Sequence, residues 1–146
     1  MKKRVVIVAG TRPEVIKMAP VYRALQSSAV LEPVFLSTGQ HREMLDQAFS
    51  SLEIAPDVDL GLMQPGQSLP DLTSRVLTAV SSYLDEARPD VMLVQGDTTT
   101  VLASTLAAFY ARVPIGHVEA GLRTHNLESP WPEEMNRRVA GIVADL

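Results

Sequence analysis

The sequence has no cysteine and no long apolar run. Without cysteine the chain can form neither a disulfide nor a thiolate metal site. No apolar stretch approaches the roughly 20 residues that cross a bilayer. The basic start, residues 1–4, is followed by an apolar run that is too short for a signal peptide. We therefore expect a cytoplasmic protein with no membrane association and no metal.

Clustered basic residues and nucleotide-loop motifs are also missing. The formal net charge is -4 and lysine and arginine form no long run, which disfavours a nucleic-acid surface. The chain contains neither G-x-G-x-x-G nor a Walker lysine, so neither bound NAD nor a P-loop nucleotide is expected, and we expect no cofactor. A length of 146 residues fits one domain.

Short β-branched apolar runs alternate along the chain with helical patterns. This alternation predicts an α/β fold, a Rossmann-like parallel sheet with flanking helices. Pro20 falls inside the first helical pattern, which it must kink or cut short. The predicted strands are residues 5–9, 31–36, 59–63, 91–94 and 114–119. The predicted helices begin near Thr11 and cover residues 41–52, 69–88, 100–111 and 133–146. Because no closing strand follows the last helix, the pattern suggests a fragment of a longer protein.

The first strand–helix junction, Gly10 to Lys17, carries two cations. A helix that begins just after a glycine offers free N–H groups to an anion, and Arg12 and Lys17 add cationic donors. Thr11 and Glu14 have the spacing of a capping box. The pattern fits an anion site, and it fits equally a well-capped structural helix with two surface cations.

Acidic residues follow two of the later strands. Asp97 comes directly after a buried strand, where it can face a ligand, cap the next helix, or do both. Strand alternation places His117 and Glu119 on one face. A buried strand end rarely carries an unpartnered glutamate, so Glu119 is either a functional residue or half of a structural salt bridge with Arg123.

Two more acids, Glu133 and Glu134, begin the last helix. The helix dipole alone accounts for one of them. Since strand ends and helix starts share one edge of a parallel sheet, we expect Asp97, Glu119, Glu133 and Glu134 to gather there and favour acid/base chemistry. Residues 40–43 read as a polar helix start, and no cysteine or carboxylate lies at metal-ligand spacing from His41.

Four segments occur together in order: GTRPEVIKMAP, TGQHREMLDQ, PDVMLVQGDTTT, and GHVEAGLRT followed by SPWPEEMNR. The set resembles the N-terminal part of the non-hydrolysing UDP-N-acetylglucosamine 2-epimerases, from about Val5 to Leu146. The resemblance implies that residues 1–146 are an N-terminal Rossmann-like domain, one half of a GT-B architecture. It implies that a C-terminal UDP-binding domain is absent from this chain.

The resemblance also implies an activity and roles for particular residues. The family interconverts UDP-GlcNAc and UDP-ManNAc by eliminating UDP and adding it back. Asp97, Glu119 and Glu133 match its catalytic carboxylates, and Arg12 and Lys17 match its substrate contacts. A full-length homodimer and a place in cell-envelope polysaccharide biosynthesis are further expectations.

Other matched positions concern regulation and departures from the family pattern. Gln40 and Glu43 match a region that holds a second UDP-GlcNAc as an allosteric activator, although Gly66 stands where some members have an arginine nearby. Gln95 stands where histidine is common. Two alternatives stay open: a GT-B glycosyltransferase and a non-catalytic nucleotide-sugar binding domain. The isolated chain is expected to be inactive.

Overall fold

The computed structural model describes residues 1–39 and 42–146, which form strands and helices in alternation. The strands are β1 Lys3–Ala9, β2 Leu31–Ser37, β3 Val58–Asp59, β4 Val91–Gln95 and β5 Ile115–Val118. The helices are α1 Arg12–Gln26, α2 Arg42–Ser51, α3 Leu69–Ala87, α4 Thr99–Tyr110 and α5 Glu133–Val143. The predicted α/β class is confirmed.

The strands form one parallel sheet in the order β3-β2-β1-β4-β5. The chain builds outwards from β1 to β3, then returns to place β4 on the other side of β1. This reversal is a topological switch point, and open α/β sheets bind ligands in the crevice that forms there, beyond the carboxyl ends of the strands. The turns that follow β1 and β4 therefore border the expected binding crevice.

Both faces of the sheet are buried. Within β1, Val6 and Val8 pack against α3 and α4, while Ile7 and Ala9 pack against α1 and α2. A strand covered on both sides needs apolar residues at every position, not at alternate ones. This is why β1 is a continuous apolar run.

Several element boundaries differ from the prediction. β3 is only two residues long, and α1 continues through Pro20 to Gln26. The predicted first residue of α2, His41, lies outside the described residues.

Within the described ranges, no helix is long and apolar enough to cross a membrane.

The end of the chain also differs from the predicted helix 133–146. Helix α5 stops at Val143, and Ala144 is extended. The N–H of His117 donates to the carbonyl of Leu146 (2.8 Å), and the N–H of Leu146 donates to the carbonyl of Ile115 (3.2 Å). The last residues thus run beside the outer edge of β5, where strand hydrogen-bonding groups are available.

Candidate active site

Glu14 connects the turns that follow β1 and β4. Its carboxylate accepts hydrogen bonds from the N–H groups of Gly10 (2.7 Å) and Thr11 (2.8 Å). Its other oxygen accepts from the Thr98 hydroxyl. Burial raises the pKa of the Glu14 carboxyl. The predicted capping box is confirmed, and the same glutamate ties together the two turns at the switch point.

Asp97 lies in the turn between β4 and α4, but it does not cap the helix. Of the alternatives for Asp97, the N-cap is wrong, because Thr98 directly precedes α4 and its hydroxyl accepts from the N–H of Val101 (3.3 Å). The Asp97 carboxylate instead accepts from Nε of Arg137 (2.8 Å), and its backbone carbonyl accepts from the Asn136 amide (2.8 Å). The Asp97 side chain remains 29% exposed towards the crevice side of the sheet.

Glu119 lies just after β5, and the predicted shared face with His117 is not formed. Glu119 has a φ of +59°, so the extended alternation stops at Val118. His117 is buried, and its Nε2 donates to the carbonyl of Gly96 (2.6 Å), which can only accept. The backbone turn leaves the Glu119 side chain 44% exposed at the carboxyl edge of the sheet.

Glu119 forms its ion pair with Lys17. The predicted alternative, a structural salt bridge between Glu119 and Arg123, is therefore wrong. Lys17 Nζ lies 2.6 Å from Glu119 Oε2, and the amide of Gln95 donates to the same oxygen. The hydrogen bond from Lys17, together with its charge and the Gln95 amide, holds the pKa of the Glu119 carboxyl below its ordinary value. Two predicted site residues from distant junctions therefore meet directly, and Glu119 is ionised at neutral pH.

Arg123 pairs with Glu134 and closes the loop before α5. The buried Glu134 carboxylate accepts from Arg123 Nη2 (2.9 Å) and from the N–H groups of Thr124 (3.0 Å) and His125 (3.2 Å). The Arg123 hydrogen bond is the main cause that lowers the pKa of Glu134 to about 2. Glu134 thus organises the loop and does not face the crevice.

We expect Glu134→Gln to reduce the free energy of unfolding most strongly at neutral pH. A carboxyl with a folded pKa of about 2 and an ordinary value of 4.5 contributes stability that is complete above about pH 4.5 and is lost as pH falls towards 2. The difference between wild type and variant should therefore shrink over that range in urea titrations. Glu128→Gln, in an exposed part of the same loop, serves as the matched control. Parallel stability curves for wild type and Glu134→Gln would contradict this role.

Glu133 and Arg12 lie at helix starts on the same edge of the sheet. Glu133 is the first residue of α5, is half-buried, and lies one turn before Arg137, on the same side of the helix. Arg12 is the exposed first residue of α1. Neither side chain forms a hydrogen bond or an ion pair with another residue among 1–39 and 42–146. Both are therefore available to a ligand.

The predicted regulatory pair is described only in part. Gln40 lies outside the described residues. Glu43 is exposed in the first turn of α2, which follows the carboxyl end of β2 and so belongs to the same edge of the sheet. In the described part of the chain, no three metal-ligating side chains come together as a site.

The chain matches one known protein family over most of its length. The model of the UDP-N-acetylglucosamine 2-epimerase family matches residues 23–146. The chain belongs to this family. The UDP-N-acetylglucosamine 2-epimerase of Escherichia coli strain K12 is 56% identical over 97% of the chain. The chain spans about 38% of the length of the curated epimerases it matches.

Solved epimerase structures share the fold. The UDP-GlcNAc 2-epimerase of Neisseria meningitidis, solved with UDP-GlcNAc bound, matches with a TM-score of 0.91 and 51% identity over 97% of this chain and 39% of its own. Acinetobacter baumannii MurG matches with a TM-score of 0.72 at 16% identity over 99% of this chain and 40% of its own, a likeness that shows the fold alone. The sheet is one half of a GT-B architecture.

Three residues of this epimerase-family chain contribute to the site although the sequence pattern does not identify them as site residues: Glu14, Gln95 and Arg137. The sequence pattern marks Gln95 only as a departure from the family pattern and Glu14 as part of a capping box, and it gives Arg137 no role. Each makes its decisive contact with a residue at least 18 positions away. The spacing of residues within one short segment cannot predict contacts between residues so far apart in the sequence.

Proposed function

We propose that this chain is the N-terminal domain of a non-hydrolysing UDP-GlcNAc 2-epimerase, which interconverts UDP-GlcNAc and UDP-ManNAc. One observation carries the proposal. In a chain of this family, Glu119 meets Lys17 at 2.6 Å at the same sheet edge where Asp97 is held by Arg137. Carboxylates and cations from separate junctions thus converge at the switch point, where a nucleotide sugar would bind.

The reaction explains why several carboxylates are needed. The C2 proton of the sugar is not next to a carbonyl and is not acidic, so elimination of UDP to a 2-acetamidoglucal comes first and re-addition follows. Inversion needs a base on one face of C2 and an acid on the other. Positive charge that develops near C1 as the bond to UDP breaks also needs stabilisation.

Asp97, Glu119 and Glu133 are our candidates for these three tasks. Glu119 is ionised at neutral pH, and the hydrogen bond from Lys17 lowers its pKa further, which suits a stabiliser of positive charge or a base that must be unprotonated. Asp97 is directed by Arg137, and Glu133 has no competing partner among the described residues. The three side chains come from three different elements, as expected if one group acts as base on one face of C2 and another acts as acid on the opposite face.

Arg12 and Lys17 are our candidates for contacts with the substrate's phosphates. Both lie in the first two turns of α1, near the positive end of the helix dipole, which favours an anion. Because Lys17 is exposed and already adjacent to Glu119, it can bring a phosphate and the acid together.

The remaining parts of the proposal rest on the family resemblance and on the 38% coverage of the relatives. We propose that a second domain supplies most of the UDP contacts and that two full-length chains form a homodimer. Gln40 and Glu43 are our candidates for binding a second UDP-GlcNAc as activator. A cytoplasmic location and a role in cell-envelope polysaccharide biosynthesis complete the proposal.

Lys17→Met in the full-length protein should raise KM for UDP-GlcNAc by about 10–100-fold, the scale of one lost hydrogen bond to a charged group. Because Lys17 is the main cause of the low Glu119 pKa, its removal should move the acid limb of the pH–rate profile to higher pH. Lys2→Met, at an exposed position whose Nζ contacts only the carbonyl of Ser28 among the described residues, is the control. An unchanged KM together with an unchanged acid limb would refute this role of Lys17.

The function itself is tested by incubating the full-length protein with UDP-GlcNAc and following the sugar by NMR. The proposal predicts UDP-ManNAc, approached from either substrate to one equilibrium ratio. Transfer of the sugar to an added acceptor without epimer would instead identify a glycosyltransferase. Binding of UDP-GlcNAc without any turnover would identify a non-catalytic binding domain.

A further inference from the structure

We propose that Arg137 is a positioning residue, which holds the Asp97 carboxylate and the backbone at Glu119 in one fixed arrangement. The inference rests on the proposed epimerase function and assigns a role to a residue that touches two of its three acids. Arg137 belongs to the second turn of α5 and is 7% exposed, so it acts through its neighbours and not on a ligand directly.

The guanidinium group spans two strand ends. Its Nε donates to Asp97 Oδ2 at 2.8 Å, and its Nη1 donates to the backbone carbonyl of Glu119. The first acceptor follows β4 and the second follows β5. A single planar group with several fixed donors therefore sets the separation of the two acids.

The second contact matters because of the backbone conformation at Glu119. A φ of +59° is unusual for a residue with a side chain, and it is what turns the Glu119 carboxylate away from the strand and towards Lys17. Surroundings must hold such a conformation in place. The hydrogen bond from Arg137 to the Glu119 carbonyl supplies part of that restraint.

Other residues hold the rest of the Asp97 turn, so loss of Arg137 should leave the fold intact. The Asn136 amide donates to the carbonyl of Asp97, and His117 donates to the carbonyl of Gly96. Thr98 caps α4 independently. The Arg137 guanidinium directs the Asp97 side chain itself. Its removal should release that side chain, while the backbone of Asp97 stays in place.

The test compares Arg137→Met and Arg137→Lys in the full-length protein, with Arg138→Met as the matched control. Arg138 is the exposed neighbour on the same helix. We expect kcat of Arg137→Met to fall about 10²-fold, the scale of a small misplacement of reacting groups, with KM for UDP-GlcNAc little changed. Arg137→Lys should recover part of kcat, because it keeps the charge but lacks the planar group that reaches both acceptors in a fixed geometry. Thermal melts report whether each variant folds.

A double-mutant comparison separates positioning from a general loss of stability. If Arg137 acts through Asp97, Arg137→Met should cost much less in an Asp97→Asn background than alone, whereas independent effects would multiply. If Arg137→Met does not fold, Arg137→Lys carries the same comparison.

The inference is overturned if the folded variants keep kcat within about threefold of wild type, well short of the 10²-fold expected for misplaced groups. A loss confined to KM, or one that multiplies fully with Asp97→Asn, overturns it as well. Wild-type protein that gives no epimer overturns the proposed function instead. The two failures are therefore distinguishable in one set of assays.

Discussion

Glu119→Gln in the full-length protein should lower kcat for epimerisation by about 10²–10⁴-fold, the usual contribution of a positioned acid or base. Glutamine keeps the size of the side chain and an oxygen that can accept from Lys17 and Gln95, so the fold should survive. It removes the negative charge that pairs with Lys17. Steady-state kinetics with UDP-GlcNAc measure the effect.

The control for this variant is Glu128→Gln. Glu128 is an exposed glutamate in the loop after β5. Its backbone N–H donates a hydrogen bond to the Asn126 side chain, and this bond does not involve the Glu128 carboxylate. Wild-type kinetics are expected for Glu128→Gln. A Glu119→Gln enzyme with kcat near that of wild type would remove Glu119 from the catalytic group and leave the Lys17 contact as a structural salt bridge.

The second large effect concerns the chain by itself. Purified residues 1–146 should turn over UDP-GlcNAc at least about 10³-fold more slowly than the full-length protein, because effective molarities of positioned groups are far larger than that. The acids are present in the chain, but the UDP half of the substrate lacks the second domain proposed above. Circular dichroism should still show a folded α/β domain, since both faces of the sheet are covered within this chain.

Turnover of residues 1–146 at a rate close to that of the full-length protein would contradict this prediction. It would mean that the carboxyl edge of this sheet binds and positions the whole nucleotide sugar without help. Adding the remaining part of the protein as a separate chain tests the same point in reverse, because restored turnover is then expected.

Most of the fold could be predicted because local pattern determines it. The continuous apolar run of β1 and the capping box of α1 each reflect a requirement met within a few residues. The cap of α4 could not be predicted because both Asp97 and Thr98 are good caps. The Asp97 carboxylate pairs instead with Arg137, 40 positions further along the chain, and local spacing does not show this contact.

The pairing of the acids could not be predicted for the same reason. Arg123 lies near Glu119 in sequence, which made it the natural partner. The turn at Glu119 directs that side chain to Lys17, 102 positions earlier, and leaves Arg123 to Glu134. The positive φ at Glu119 accompanies its pairing with Lys17, and the sequence pattern does not report this backbone conformation.

We propose that the acids at this sheet edge remove and return the C2 proton of a nucleotide sugar. The most direct measurement is the isotope content at C2 when the full-length protein converts UDP-GlcNAc in D₂O. Our account predicts deuterium at C2 of the UDP-ManNAc product, with loss of both exchange and conversion in Glu119→Gln. Product formed with its original hydrogen at C2 would contradict it.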